Sequence, residues 1–134
     1  MPTVRGKLIK KLDKVFSQYI RTRNVDESGY SNCFTCNSLK HWKEVDAGHF
    51  MSRGKFATRW APKNVQFQCK RCNGFRSGEQ YKFAQQLDNI YGEGTADDLV
   101  VKSNQSAKFN VIDLREMIVL YTNKCEQIKK AKGI

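Results

Sequence analysis

Four cysteines of this 134-residue chain stand in two CxxC pairs, "CFTC" at Cys33 and Cys36 and "CKRC" at Cys69 and Cys72. Each such turn presents two sulfurs to one ion, and two turns complete a tetrahedral S₄ shell of the kind that zinc takes in structural sites. Thiolate iron fits the same four sulfurs, but the basic surroundings point to nucleic acid and so to zinc. An S₄ site has no open position for substrate, which makes it a brace and not a reaction centre. The 32 residues between Cys36 and Cys69 exceed the roughly 15–20 of a plain zinc ribbon. Something further is built inside that interval.

Inside it lies "VDAGHFMSR", which places Asp46 and His49 between the thiol pairs. Histidine titrates near neutrality and can activate a water. A nearby carboxylate can hold a cation that stabilises charge on a phosphate, and phosphodiester hydrolysis needs both functions. The charge supports that substrate class. The chain carries +11 at neutral pH, and residues 40–82 alone hold ten basic against three acidic side chains, while residues 83–113 are net acidic. The positive excess therefore surrounds the chemistry-bearing segment, as expected for a polyanion-binding site. No apolar run exceeds the five residues "MIVLY" at Met117–Tyr121, and "MPTVRGKLIKK" lacks the apolar core of a secretory signal. The expectation is a soluble cytoplasmic protein with reduced thiols, no membrane partner and no small-molecule cofactor.

The elements that must position these residues follow from periodicity. Leu8, Ile9, Leu12, Val15, Phe16, Tyr19 and Ile20 recur at helical spacing over about 4–23, with Lys7, Lys10, Lys11 and Lys14 on the other face. "EVDAGHF" and "NVQFQC" have strand character, joined by the basic "MSRGKFATRWAPK". From Ser77 the period becomes helical, with Tyr81, Ala84, Leu87 and Ile90 on one face, until "YGEGT" interrupts it; Thr95 opens a short helix. A last helix spans about 111–131, with Leu114, Met117, Ile118, Tyr121, Cys125 and Ile128 inward. Cys125 reads as a core thiol and His41 as an ordinary loop residue.

The string CxxC, then "DAGH", then Asn64 separated by four residues from "CKRCN", resembles the HNH, or ββα-metal, endonucleases. The longer pattern "DAGHF…RW…N…QCKRCN…SG" looks like the NinG/Rap recombination endonucleases of lambdoid phages, over about residues 8–92. That family commonly has an N-terminal cysteine-containing extension not seen in this sequence. The resemblance implies a Mg²⁺- or Mn²⁺-dependent nuclease for branched DNA such as Holliday junctions and D-loops. It makes Asn73 a metal ligand alongside Asp46, with helix N-cap as its alternative role. It gives Asn64 the task of bracing the loop that carries His49. The common HNH pattern places an acid immediately before the histidine, where this chain has Gly48. Asp46 and Gly48 face the same side of a strand, so Asp46 is expected to lean across the space left by the missing side chain.

The sequence thus predicts one α+β domain over 1–134: an N-terminal helix and loop (1–30), a zinc-braced ββα-metal core with its following helix (31–92), and a C-terminal helical region (93–134). His49, Asp46, Asn73 and Asn64 form the expected catalytic group, Cys33, Cys36, Cys69 and Cys72 hold zinc, and Asp46 with Asn73 holds Mg²⁺ or Mn²⁺. Arg53, Arg59, Arg71, Arg76, Lys55 and Lys63 are expected to contact DNA, with Arg59 favoured as a phosphate clamp. A four-way junction needs two opposed nicks and this chain has one "DAGH", so a C₂ homodimer is expected, joined through Leu8, Leu12, Phe16 and Tyr19 of the first helix and Leu114, Ile118 and Tyr121 of the last. The alternatives are an HNH nuclease or nickase acting on duplex DNA, and a zinc-finger DNA-binding protein that needs the cysteines but not His49.

Overall fold

The computed structural model describes residues 2–134. Helix α1 (Val4–Thr22) starts where the Thr3 hydroxyl accepts a hydrogen bond from the Gly6 amide at 2.9 Å. Its Leu12, Phe16 and Ile20, spaced by one helical turn, are buried, and its lysines face out. Helix α5 (Val111–Lys132) opens with a reciprocal capping box between Asn110 and Asp113. It ends at Gly133, whose φ of 69° is one that a side chain disfavours. The two helices pack along their length, and Leu114, Ile118 and Tyr121 close on the α1 stripe with Trp60 and Val65. Phe16 and Tyr121 meet edge to face at 4.8 Å. This corrects the expected partner-facing surface: Leu12, Phe16, Leu114, Ile118 and Tyr121 form the core of one chain, and Leu8 and Tyr19 pack against it.

The sheet content is two antiparallel hairpins. The first, β1 (Tyr30–Asn32) with β2 (Leu39–His41), carries the Cys33–Cys36 turn at its tip and had no signal in the sequence reading. The second, β3 (Val45–His49) with β4 (Val65–Cys69), is the expected one, and its register pairs Val45 with Cys69 and His49 with Val65. Alternation then puts Asp46, Gly48, Gln66 and Gln68 on one face and Ala47, His49, Val65 and Phe67 on the other. The second face packs toward α1 and α5 through Ala47 and Val65. The first face meets the segment after β4, where Gln66 reaches the Tyr91 hydroxyl at 3.1 Å and Gln68 reaches the Gly78 carbonyl at 2.8 Å.

Between the strands, α2 (Phe56–Arg59) makes a single turn. After β4 the chain makes one wide helical turn over Arg71–Phe75, closed by the Arg76 amide on the Arg71 carbonyl at 3.0 Å, before α3 (Gln80–Tyr91) and α4 (Thr95–Ser103). The apolar stripe of α3 is rotated from the expected one. Phe83 and Leu87 are buried against Phe50, Ala96 and Leu99, whereas Tyr81 and Ile90 face solvent. The fold is mixed α+β, with small antiparallel sheets set among helices, and no described helix is long and apolar enough to cross a membrane.

Candidate metal and phosphodiester site

The tip of the first hairpin and the open end of the second, where β4 finishes at Cys69, converge on the cysteines. The Sγ atoms of Cys33, Cys36, Cys69 and Cys72 all lie within 4.8 Å of one another, and those of Cys36 and Cys69 are 3.7 Å apart. Four sulfurs about 2.3 Å from one tetrahedral zinc stand about 3.8 Å apart, so the cluster fits a single zinc ion. Backbone amides already point at the sulfurs: Cys69 N–H donates to Cys33 Sγ at 3.3 Å and Cys72 N–H to Cys69 Sγ at 3.4 Å. Burial acts to raise Cys36, Cys69 and Cys72. Hydrogen bonds from Ser38 outweigh it at Cys36 and bring that thiol down to about 6, whereas burial pushes Cys72 up to about 12 and raises Cys69. A central dication is what would hold all four as thiolates. Cys125 lies apart, buried on α5 and facing the Val15 carbonyl at 3.5 Å, as a core thiol.

Strand β3 pairs only with β4, and its free edge borders a cleft of about 650 Å³ under α1. Because the cleft runs along an edge, residues from both faces reach it, and Asp46, His49 and Asn73 all line it. Asn73 sits in the wide turn just after Cys72, and its Nδ2 donates to Asp46 Oδ2 at 3.1 Å. It is not an N-cap, since α3 begins seven residues later with Glu79 as cap. The other carboxylate oxygen, Oδ1, accepts from Lys70 Nζ at 2.7 Å. Both carboxylate oxygens are thus engaged by donors, and Asn73 turns its amide nitrogen toward Asp46. A divalent ion would have to displace Lys70 and turn the Asn73 amide, so that its oxygen joins the carboxylate in the hard donor set that Mg²⁺ or Mn²⁺ takes.

The imidazole of His49 is fixed by one contact. Its Nε2 lies 3.0 Å from the Arg59 carbonyl, and a carbonyl can only accept, so Nε2 carries the proton and Nδ1 presents a lone pair. Burial pushes the His49 pKa below the usual histidine range; the Arg59 carbonyl works against it, the Arg53 charge adds to it, and Asp13 and the Ala47 carbonyl oppose it with less effect. Burial thus favours the neutral form of His49. Asn64, fully buried, ties the loop that follows: its Oδ1 accepts from Met51 N at 2.8 Å, and its Nδ2 donates to the Met51 and Thr58 carbonyls, each at 3.0 Å.

Two expectations need correction. The space over Gly48 is not open to Asp46, because an added Cβ would meet Gln68 Oε1 at 2.0 Å. Gln68 fills it, and Asp46 turns instead toward Lys70 and Asn73. Arg59 is not a free phosphate clamp either. Its Nε and Nη2 grip Asp13 at 3.1 and 2.6 Å, its Nη1 donates to the Arg53 carbonyl at 2.8 Å, and its side chain is 14% exposed.

The other expected cations divide by position. Arg53, 63% exposed at its side chain, lines the cleft, and Arg71 and Arg76 line a second one of about 420 Å³ beside the cysteines. Lys55 and Lys63 line neither: Lys55 reaches Asn104 at 3.3 Å and Lys63 lies over the Tyr91 ring at 5.4 Å. The sequence reading missed Asp13, Arg21, Lys43 and Lys70, all on the first cleft, and Lys70 lines both. Asp13 had a signal, as the only acid in α1. Lys70 had one too, lying within "CKRC".

A sequence model of the family described as "Bacteriophage Lambda NinG protein" matches residues 3–131. "Protein ninG" of Escherichia phage 933W is 24% identical to the chain over 130 residues, which is 96% of this chain and 62% of that protein. "Protein ninG" of Enterobacteria phage VT2-Sa is similar to the same extent, so the chain spans 62% of the length of these curated relatives. No solved structure shows significant similarity to it. With nearly its whole length matched, the chain belongs to the family of the bacteriophage lambda NinG protein.

Proposed function

We propose that this protein is a ββα-metal (HNH-like) endonuclease that cuts branched DNA recombination intermediates by metal-dependent phosphodiester hydrolysis. The observation that carries the proposal is one cleft holding a carbonyl-anchored His49 together with the paired Asp46 and Asn73. The β3–β4 hairpin supplies His49 and Asp46, and the turn after β4 supplies Asn73. Asp46, with Asn73 once its amide is turned, would hold a divalent ion, and that ion would supply charge stabilisation at the scissile phosphate and the leaving oxygen. His49 Nδ1 takes a proton from the attacking water, while Nε2–H stays on the Arg59 carbonyl and keeps the ring oriented. Arg53, Lys70 and Arg21 give the cleft its cationic lining and attract the phosphates. The cysteines, with zinc, fix the two hairpins relative to each other.

The proposal is tested by incubating labelled four-way junction and matched linear duplex with the purified protein in Mg²⁺, Mn²⁺ or EDTA. We expect cleavage of the junction with either ion and none in EDTA; junction bound but uncut under every condition favours a non-catalytic zinc-finger protein, and equal cutting of the duplex favours a general HNH nuclease. Paired nicks need two copies of this single site, so we further propose a C₂ homodimer on the junction. Its contacts lie outside the α1–α5 core residues, which are already occupied. Light scattering with and without junction checks it, and a monomer in both conditions that still makes paired nicks contradicts it.

A further inference from the structure

Phe75 is 94% exposed, more than any other large apolar side chain among the described residues. A single exposed apolar residue is ordinary on a protein surface. This one differs in how it is held and in what surrounds it. It closes the wide turn that also carries Asn73, and the turn is tied down on both sides. Gly78 N–H donates to the Cys72 carbonyl at 2.8 Å, Ser77 N–H to the Gly74 carbonyl at 3.1 Å, and the Gly78 carbonyl accepts from the fully buried Gln68 at 2.8 Å. The return to α3 passes through Ser77, Gly78 and Glu79 with φ of 52°, 87° and 50°, three successive left-handed residues that are held only where the surroundings dictate them. Nothing approaches within 4 Å of a Cβ built on neighbouring Gly74, so space is open beside the ring's own end of the turn. The ring is thus projected on a fixed support.

Its neighbours are cationic. Lys70, Arg71 and Arg76 lie within five residues of it and line the basic cleft beside the cysteines, while Asn73, two residues before it, lines the cleft of His49. The turn that carries the ring thus borders both clefts, through Asn73 and through Arg71, and a strand lying across the two would run past it. Base faces stack on aromatic rings in a sequence-tolerant way, and apolar side chains wedge between bases where a duplex is interrupted. Intact duplex offers no free base face; a branch point does.

We propose that Phe75 stacks on an unstacked base at the branch point and so supplies the selectivity of the site for branched over continuous DNA. This rests on the DNA-binding part of the proposed function and not on catalysis. The test is fluorescence and binding in EDTA, with 2-aminopurine at the branch position of a four-way junction and, separately, inside a matched duplex, using the full zinc-loaded chain. The parent should change the junction probe's emission and leave the duplex probe unchanged. Phe75→Ala should abolish that change and weaken junction binding by ~10-fold, the scale of losing one stacked base, with duplex binding, zinc content and thermal midpoint unchanged. Phe75→Trp should restore both signals. Equal junction affinity and emission for parent and Phe75→Ala overturns the inference, as does an equal loss on junction and duplex or a parent that binds neither DNA. His49→Ala should keep the stacking signal, so a protein that stacks but never cuts sinks the nuclease reading alone, and one that cuts junctions without needing Phe75 sinks this inference alone.

Discussion

His49 meets the Arg59 carbonyl through the one ring nitrogen that must then be protonated, and burial favours the neutral ring. Its pKa lies below the ordinary 6.5, and proton abstraction needs the neutral form, so cleavage should already be on its plateau at neutral pH. The rate should fall only as pH drops through the lowered value. A pH profile of kcat/KM checks this, and a half-maximum above the usual histidine range contradicts it. At Gly48 the absence of a side chain makes room for Gln68. Gln68 is fully buried and its amide nitrogen is committed to Gly78 and Thr35, so its oxygen cannot leave the space that a side chain at 48 would need. Gly48→Ala should cost about 1–3 kcal/mol by overpacking, read as a lower denaturant midpoint. A midpoint equal to the parent's would show that Gln68 yields freely. The ligand set was legible in the sequence because CxxC spacing is local. The roles of Asp13 and Gln68 were not, since each depends on a partner 46 or 20 residues away, brought near by strand register and helix packing.

At the scale of elements, α1 does more than close the core. Asp13 on α1 grips Arg59 at the end of α2 and also accepts from the Trp60 indole at 3.0 Å, and the carbonyl of that same Arg59 holds His49. Helix packing thereby sets the orientation of an imidazole on a strand. Asp13→Asn should destabilise the fold by about 2–3 kcal/mol, since it removes one partner of a largely buried charge pair. It should also lower kcat several-fold with KM nearly unchanged, because the DNA-contacting surface is retained. A variant as stable as the parent, or one altered only in KM, would contradict this positioning role. The long helices and the β3–β4 hairpin follow from periodicity alone. The β1–β2 hairpin is too short for periodicity to reveal, and the stripe of α3 is set by Phe83 meeting Phe50, a contact between distant parts of the chain.

At the scale of the whole molecule, the four-cysteine cluster is the joint between the two hairpins, and the site sits directly beyond it. A structural zinc can contribute ~10 kcal/mol or more of apparent binding free energy, as much as the entire stability of a domain this size. Metal analysis should find one zinc per chain, and Cys33→Ser or Cys72→Ser should lose the fold and not merely activity. Zinc should be released more readily as pH falls, because protons compete for the thiolates. A folded preparation without zinc would rule this out. The measurement that bears most directly on the central claim is the single-turnover cleavage rate of a four-way junction in Mg²⁺ by the parent and by His49→Ala, with junction affinity measured alongside in EDTA. A general base predicts a loss of roughly 10²-fold or more in rate with affinity within a few-fold of the parent. Equal rates for the two proteins would contradict the account.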